Sequence, residues 1–419
     1  MKVTLRYGRD GLDAEFPDSP LRAVYCVNQI PPIENPADAY ERALERPMSV
    51  PPLSDLAKGR KSAVVVICDH TRPMHYSLLL PAILRRLEMA GVARERTNIL
   101  LATGGHRAAS PAEIQEMLGV EMPARYEVIS HDSRNLAGHK DLGVTNEGVP
   151  VYIDKHYIES DLKIIIGLVE PHLMAGFSGG RKMVCPGVAA IETIRALHGP
   201  ALLEHPNATP GVLEGNPVHL SATEAARRAG CDFAVNVTQD DQRRVTGLFA
   251  GDLEATFEAA AARVGKSGVK VTEPTDVVVT TGAGYPLDAT FYQAIKGLVA
   301  VMPAVKEGGS ILLAAALSEG LGSPSFCKIY GEVRNLSDFR ERIVKSGHIW
   351  DDQWQVEEQA KAARKAAVLG HSDLPADTLR KAFVTYVESV ESGVAHALSN
   401  YGPTATLAVV PDGPFTLLS

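Results

Sequence analysis

Cysteine is scarce in this chain of 419 residues: Cys26, Cys68, Cys185, Cys231 and Cys327 are widely scattered. No CxxC pair occurs, which argues against a zinc-ribbon or thioredoxin-like site. An odd, sparse set fits reduced thiols in a cytosolic protein. Excess positive charge is also missing. A net charge of -8 makes general binding to nucleic acid or to an anionic membrane surface a poor expectation. No apolar run reaches membrane-spanning length, and the longest, such as 311–317, suits a buried strand or core helix. The first sixteen residues alternate like a strand and lack the apolar core of a signal peptide. The expectation is a soluble cytoplasmic protein. HExxH and tight His/Cys clusters are absent too. A metal here would need most of its ligands from a cofactor.

What remains is ordinary globular composition, 45% apolar and 22% charged, with length for two domains. Residues 2–7 and 14–16 read as a small hairpin, and 30–36 as a proline-punctuated loop. An α/β rhythm follows. The run 62–68 (SAVVVIC) is apolar on both faces, as a buried parallel strand should be. Helical periodicity covers 77–91, and 98–102 (NILLA) is the next strand. Ser110-Pro111 with Glu113 has the form of a capping box opening a helix over 110–118. Further strands are expected at 126–130, 151–153 and 162–168 (LKIIIGL). A second α/β run has strands at 276–280 and 310–316, helices at 290–305 and 354–368, and a strand-like tail at 405–410. The fold class is therefore α/β, with mostly parallel sheets in two domains divided near 265–275, at about residue 270.

Open parallel sheets bind ligands beyond the carboxyl ends of their strands. Unusual polar clusters stand at such ends: Asp69-His70-Thr71-Arg72-Pro73 after SAVVVIC, Thr103-Gly104-Gly105-His106-Arg107 after NILLA, and Val169-Glu170-Pro171-His172 after LKIIIGL. One strand-end histidine is commonly a structural hydrogen-bonder. Three loops bearing Asp, His and Arg point to a shared active site. In GFSGGRK (176–182) the glycines leave backbone N–H groups open to a phosphate, and Arg181 and Lys182 add charge. An exposed basic turn accounts for the same residues. It is not a Walker A loop, because Met183 stands where Ser/Thr would hold magnesium. Lys182 is alternatively a covalent anchor. GAGYPLD (282–288) is a broken dinucleotide fingerprint, with Leu287 at the third glycine position. His106, His172, His198, His205 and His219 are scattered ligand candidates, and each alone favours a structural role.

Read together, these residues resemble the nickel-dependent lactate racemases and their 2-hydroxyacid racemase and epimerase homologues. The resemblance runs over nearly the whole chain. It is carried by DHTRP (69–73), ATGGHR (102–107), EPHLMAGFSGGRKMVCPG (170–187), the Leu-His of ALH (196–198), FYQAIKG (291–297) and DQWQ (352–355). It implies a nickel-pincer nucleotide, a pyridinium-3-thioamide-5-thiocarboxylic acid mononucleotide, tethered at Lys182. Nickel would take three ligands from that cofactor and the fourth from His198, in the square-planar arrangement nickel accepts. The family's catalytic histidines fall on His106 and His172. Cofactor contacts fall on Asp69, Thr71, Gly179, Gly180, Arg181 and Lys182. Substrate contacts fall on Arg72, Tyr292, Gln293, Lys296 and Trp354. The implied partners are a small 2-hydroxyacid and, transiently, the cofactor-synthesis proteins.

The resemblance also implies an interdomain active-site cleft. It gives an N-terminal cofactor-binding domain over 1–270, a C-terminal domain over 271–402, and a tail, 403–419, that returns to the first. The implied chemistry inverts the 2-hydroxy carbon by hydride transfer through a 2-keto acid. Two departures alter the pocket wall. Gly105 stands where lactate-specific members often carry threonine, and Leu173-Met174-Ala175 replaces aromatic and small polar residues. Larger 2-hydroxyacids and sugar acids therefore join lactate as expected substrates. An NAD-dependent dehydrogenase is the competing reading.

Overall fold

The structure, a computed structural model, describes residues 1–72 and 74–419. Pro73, the last residue of DHTRP, lies outside the described residues. The chain divides into two compact units: unit A, residues 29–198 with 212–266, and unit B, residues 1–28, 199–211 and 267–419.

Unit A is built on a six-stranded sheet. Its strand order is Val245–Gly251, Phe233–Gln239, Leu162–Leu168, Ala63–Cys68, Thr97–Ala102, Glu127–Ser130. Only the Val245–Gly251 edge runs antiparallel. Every residue of Ala63–Cys68 is buried, which explains why the strand shows no polar alternation. The helix Tyr76–Met89 turns Leu79, Leu80, Ile83 and Leu87 into the core beside Val65 and Ile99. Ser110 and Glu113 do form the capping box of the helix Pro111–Leu118.

Two features of unit A add to the sequence expectation. The strand expected at 151–153 forms as Pro150–Asp154 and pairs in an antiparallel ribbon with His139–Val144. Reciprocal hydrogen bonds at Thr145, Gly148 and Val149 reverse the chain between them. Residues 212–266, where no elements were expected, supply two strands of the sheet and the helices Pro217–Ala229 and Leu253–Gly265. Buried polar residues at Asn236 and Thr238 disguise the inner strand Phe233–Gln239.

Unit B has a six-stranded sheet, parallel throughout, in the order Thr385–Tyr386, Ala366–His371, Val305–Ala314, Thr275–Thr281, Leu407–Val410, Leu21–Val24. The hairpin Lys2–Leu5 with Leu12–Glu15 forms as expected. The tail expectation is corrected. Leu407–Val410 is buried at every position and sits between Thr275–Thr281 and Leu21–Val24, so it belongs to unit B. It is the N-terminal segment that joins this sheet. The helix expected to run to 305 ends at Ala300, ahead of Pro303, which lacks the N–H a further turn needs. The helix Gln353–Lys365 likewise ends before 368, because Ala366–His371 pairs with Val305–Ala314 as a strand. Among the described residues no helix is long and apolar enough to cross a membrane.

Candidate active site

Parallel pairing sets the geometry of unit A's strand ends. Cys68 pairs with Ala102, so the loops that follow the two strands emerge side by side. Asp69, 1% exposed, accepts from the Thr71 N–H at 3.2 Å and the Thr71 hydroxyl at 2.6 Å through Oδ1. That turn leaves Oδ2 to the Nδ1 of His106, 2.6 Å away. Burial pushes the Asp69 carboxyl up, but His106 and the Thr71 hydroxyl outweigh it, and the group titrates below the usual carboxylate range. His106 is held in turn by its loop: its N–H donates to Thr103 O at 2.9 Å, and Gly104 N–H donates to Gly187 O at 2.9 Å.

The strand on the other side of Ala63–Cys68 leads to His172. Glu170 accepts from Arg72 Nε at 3.3 Å, tying the two strand-end loops together. Pro171–His172 and Gly176–Phe177 close a short antiparallel ribbon. At its tip His172 Nδ1 accepts from the backbone N–H groups of Met174 and Ala175, both at 3.2 Å. The two histidines are therefore set in opposite tautomers. His106 gives its Nδ1 proton to a carboxylate and keeps a lone pair on Nε2. His172 keeps a lone pair on Nδ1 and carries its proton on Nε2.

GFSGGRK is packed inside the protein rather than laid out as an exposed basic turn. A Cβ on Gly179 would come within 2.6 Å of Val169 Cγ2, and one on Gly180 within 2.7 Å of Phe257; both residues have positive φ. The Gly180 N–H donates to Asn236 Oδ1 at 2.9 Å, so the buried asparagine that disguised its strand pins this loop. Arg181, 1% exposed, lies with its guanidinium 4.0 Å from the Phe257 ring centre and donates to Ala175 O at 2.7 Å. Burial pushes its pKa down to about 9. Lys182 is buried as well.

His198 follows the helix Ile191–Leu197 and is also buried. Its Nδ1 lies 2.9 Å from Ile194 O, which places the ring proton there and the lone pair on Nε2. Burial, with the charge of Lys182 added, pushes its pKa down to about 3, so the ring is neutral at physiological pH. A neutral imidazole with its outer nitrogen anchored is the form a metal requires. A buried lysine in the same surroundings suits a neutral amide-type linkage better than a free charge. These two residues fit the implied cofactor.

The remaining sequence candidates lie in unit B. Tyr292, Gln293 and Lys296 share one face of the helix Phe291–Ala300, at i, i+1 and i+4. The Tyr292 hydroxyl accepts from Trp354 Nε1 at 2.8 Å, and the Tyr292 carbonyl accepts from Gln355 Nε2 at 2.8 Å. Gln293 Oε1 is buried without a hydrogen-bond partner. In the Gly282–Tyr285 loop three amides are spent inside the unit: Gly282 N–H on Ala314 O, Ala283 N–H on Thr281 Oγ1 and Tyr285 N–H on Gly8 O. That is not how a dinucleotide loop presents itself to a pyrophosphate. Sequence reading missed Glu170 as the partner of Arg72, and Asn236. The signal for Asn236 was a polar residue inside an otherwise apolar strand.

Comparison with known proteins divides the chain near residue 270 as well, although residues 7–28 and 199–211, which lie in unit B, fall in the N-terminal match. Residues 7–211 match the lactate racemase N-terminal domain, and residues 270–417 match the lactate racemase C-terminal domain. The chain is 31% identical over 421 residues to a lactate racemase of Thermoanaerobacterium thermosaccharolyticum, covering 98% of this chain and 97% of that one. It is 32% identical over 380 residues to a lactate racemase of Lactiplantibacillus plantarum, covering 90% and 89%. The solved structure of the lactate racemase apoprotein from T. thermosaccharolyticum superposes with a TM-score of 0.94 over 100% of both chains, at 30% identity. By these matches the chain belongs to the lactate racemase family and is an isomerase of the racemase type.

Proposed function

We propose that this racemase inverts the 2-hydroxy carbon of a 2-hydroxyacid, lactate or a larger homologue, through a planar 2-keto acid. The observation that carries the reading is the pair of histidines in opposite tautomers, His106 on Asp69 and His172 on two backbone amides. Removing a proton from C2 would build charge beside an existing carboxylate, whereas removing a hydride avoids it. Lys182 and His198 would hold the nickel-pincer nucleotide, which its synthesis proteins would deliver, and it would supply a hydride acceptor and donor when bound.

The chain's own residues manage the proton and the carboxylate. His106 Nε2 takes the hydroxyl proton as general base, and Asp69 stabilises the imidazolium that results. His172 donates through Nε2–H to the substrate oxygen in this arrangement. To serve as a base for the opposite enantiomer it must move its proton to Nδ1, which requires Met174 and Ala175 to release their hydrogen bonds. Arg72 binds the carboxylate through its Nη fork while Glu170 fixes its Nε. Tyr292, Gln293, Lys296 and Trp354 are proposed as substrate contacts, and Asp69, Thr71, Gly179, Gly180 and Arg181 as supports of the cofactor loops. For Arg181 that support is packing against Phe257 and Ala175 O.

Room at Gly105 favours a substrate larger than lactate. A Cβ there meets nothing within 4 Å, and its φ is not positive. Gly105→Thr should shift kcat/KM toward lactate over bulkier hydroxyacids by roughly tenfold, the scale of one or two methyl groups in a pocket. The deciding experiment offers single enantiomers of lactate and of larger hydroxyacids to enzyme produced alongside the cofactor-synthesis proteins. Conversion to a racemic mixture is expected. The reading fails if nickel-loaded enzyme leaves every enantiomer unchanged. Lys182→Ala should lack the covalently added cofactor mass in the intact chain.

A further inference from the structure

Unit A holds a second cluster of ligand-type side chains that the hydroxyacid chemistry does not use. His131 follows the strand Glu127–Ser130, His139 opens the ribbon strand His139–Val144, and Asp154 closes Pro150–Asp154. Ribbon register sets His139 directly opposite Asp154. All three are buried, and one ligand atom from each lies within 4.8 Å of the others.

The outer atom of every member is already committed to a second partner. His131 Nε2 lies 2.9 Å from Ala189 O, and His139 Nδ1 lies 2.9 Å from Asn135 O. Asp154 Oδ1 accepts from the backbone N–H of His156 at 2.8 Å and faces its Nδ1 at 2.8 Å. What remains is an inner set: His131 Nδ1, Asp154 Oδ2 and His139 Nε2. This is the outer-shell pattern that orients metal ligands, each imidazole giving its far N–H to a carbonyl.

A plain ion pair between His131 and Asp154, whose inner atoms stand 2.9 Å apart, accounts for two of the three. It leaves His139 Nε2 inside the protein with no hydrogen-bond partner. A buried lone pair left in that state is costly, and a cation at the cluster removes the cost.

We propose that His131, His139 and Asp154 bind one divalent transition-metal ion, zinc by donor type, with water as the fourth ligand of a tetrahedral shell. The ion braces the loops behind the active site. The His131 carbonyl accepts from Thr103 Oγ1 at 2.8 Å in the loop that carries His106, and Ala189 lies in the segment that follows Lys182.

The test uses the full chain made in a host without cofactor synthesis, stripped with a chelator, reloaded with zinc sulfate, desalted and assayed for metal. Wild type and His198→Gln should each keep about one zinc per chain, while His139→Gln and Asp154→Asn should keep almost none. Cobalt in place of zinc should give the intense visible bands of a tetrahedral ion in wild type and lose them in His139→Gln. Should those variants fail to fold, zinc X-ray absorption on the wild type decides: imidazole in the first shell supports the site and an all-oxygen shell overturns it. Wild type without retained zinc, or His139→Gln retaining as much as wild type, overturns the proposal.

Discussion

Two buried carboxyls, Asp69 in unit A and Glu357 in unit B, are matched in burial and opposite in charge state. Asp69 is 1% exposed and Glu357 is 0% exposed. Asp69 has Thr71 and His106 as donors and titrates below the usual carboxylate range. Both oxygens of Glu357 lack a hydrogen-bond partner, and burial, with Glu358 and Glu204 adding like charge, holds its carboxyl well above that range. Burial acts the same way on both; the partners decide the outcome. Donors surround the carboxyl that has an imidazole to steer, and this supports the role proposed for Asp69 more than its depth does.

The largest effect should come from removing the partner that separates the two cases. His106→Ala should lower kcat by about 10²- to 10⁴-fold, the usual worth of a positioned general base. It should also carry the Asp69 carboxyl upward toward the behaviour of Glu357, which carbon NMR of the carboxyl can follow with pH. An Asp69 that stays depressed in this variant would break the comparison. Asp69→Asn leaves the imidazole in place but takes away the charge behind it. Activity should fall by roughly 10- to 100-fold, the rate equivalent of one charge-assisted hydrogen bond.

The smallest effect concerns stability alone, and the two carboxyls should differ in sign. The folded pKa of Asp69 lies below its unfolded value, so its contribution is present above about pH 3.9 and lost as pH falls through the folded value. The folded pKa of Glu357 lies above its unfolded value. Its contribution is complete below about pH 4.3 and declines as pH rises from there. Glu357→Gln should therefore raise Tm by a few degrees at pH 8 and by much less at pH 5. An equal shift at both pH values would mean that the Glu357 carboxyl is not the group being relieved.

Much of this was legible in the sequence because strand-end chemistry is local. SAVVVIC, NILLA and LKIIIGL are buried strands with their polar loops at the carboxyl ends, and the Asp69–His106 contact follows from pairing Cys68 with Ala102. Long-range placement was not legible. The tail Leu407–Val410 reads as a buried strand in any sheet, and only its neighbours Thr275–Thr281 and Leu21–Val24 settle which one. Arg181 reads as an exposed cation, and its stacking on Phe257 depends on a helix 76 residues further along the chain. His131, His139 and Asp154 have no motif spacing at all, since a ribbon register brings two of them together.

The central claim is that the strand-end histidines handle only the hydroxyl proton while the hydrogen on C2 leaves and returns as hydride. Racemisation of lactate deuterated at C2, run in ordinary water with nickel-loaded enzyme, tests it directly. The account predicts that both product enantiomers keep deuterium at C2. Washout of that deuterium into solvent in step with turnover would contradict it.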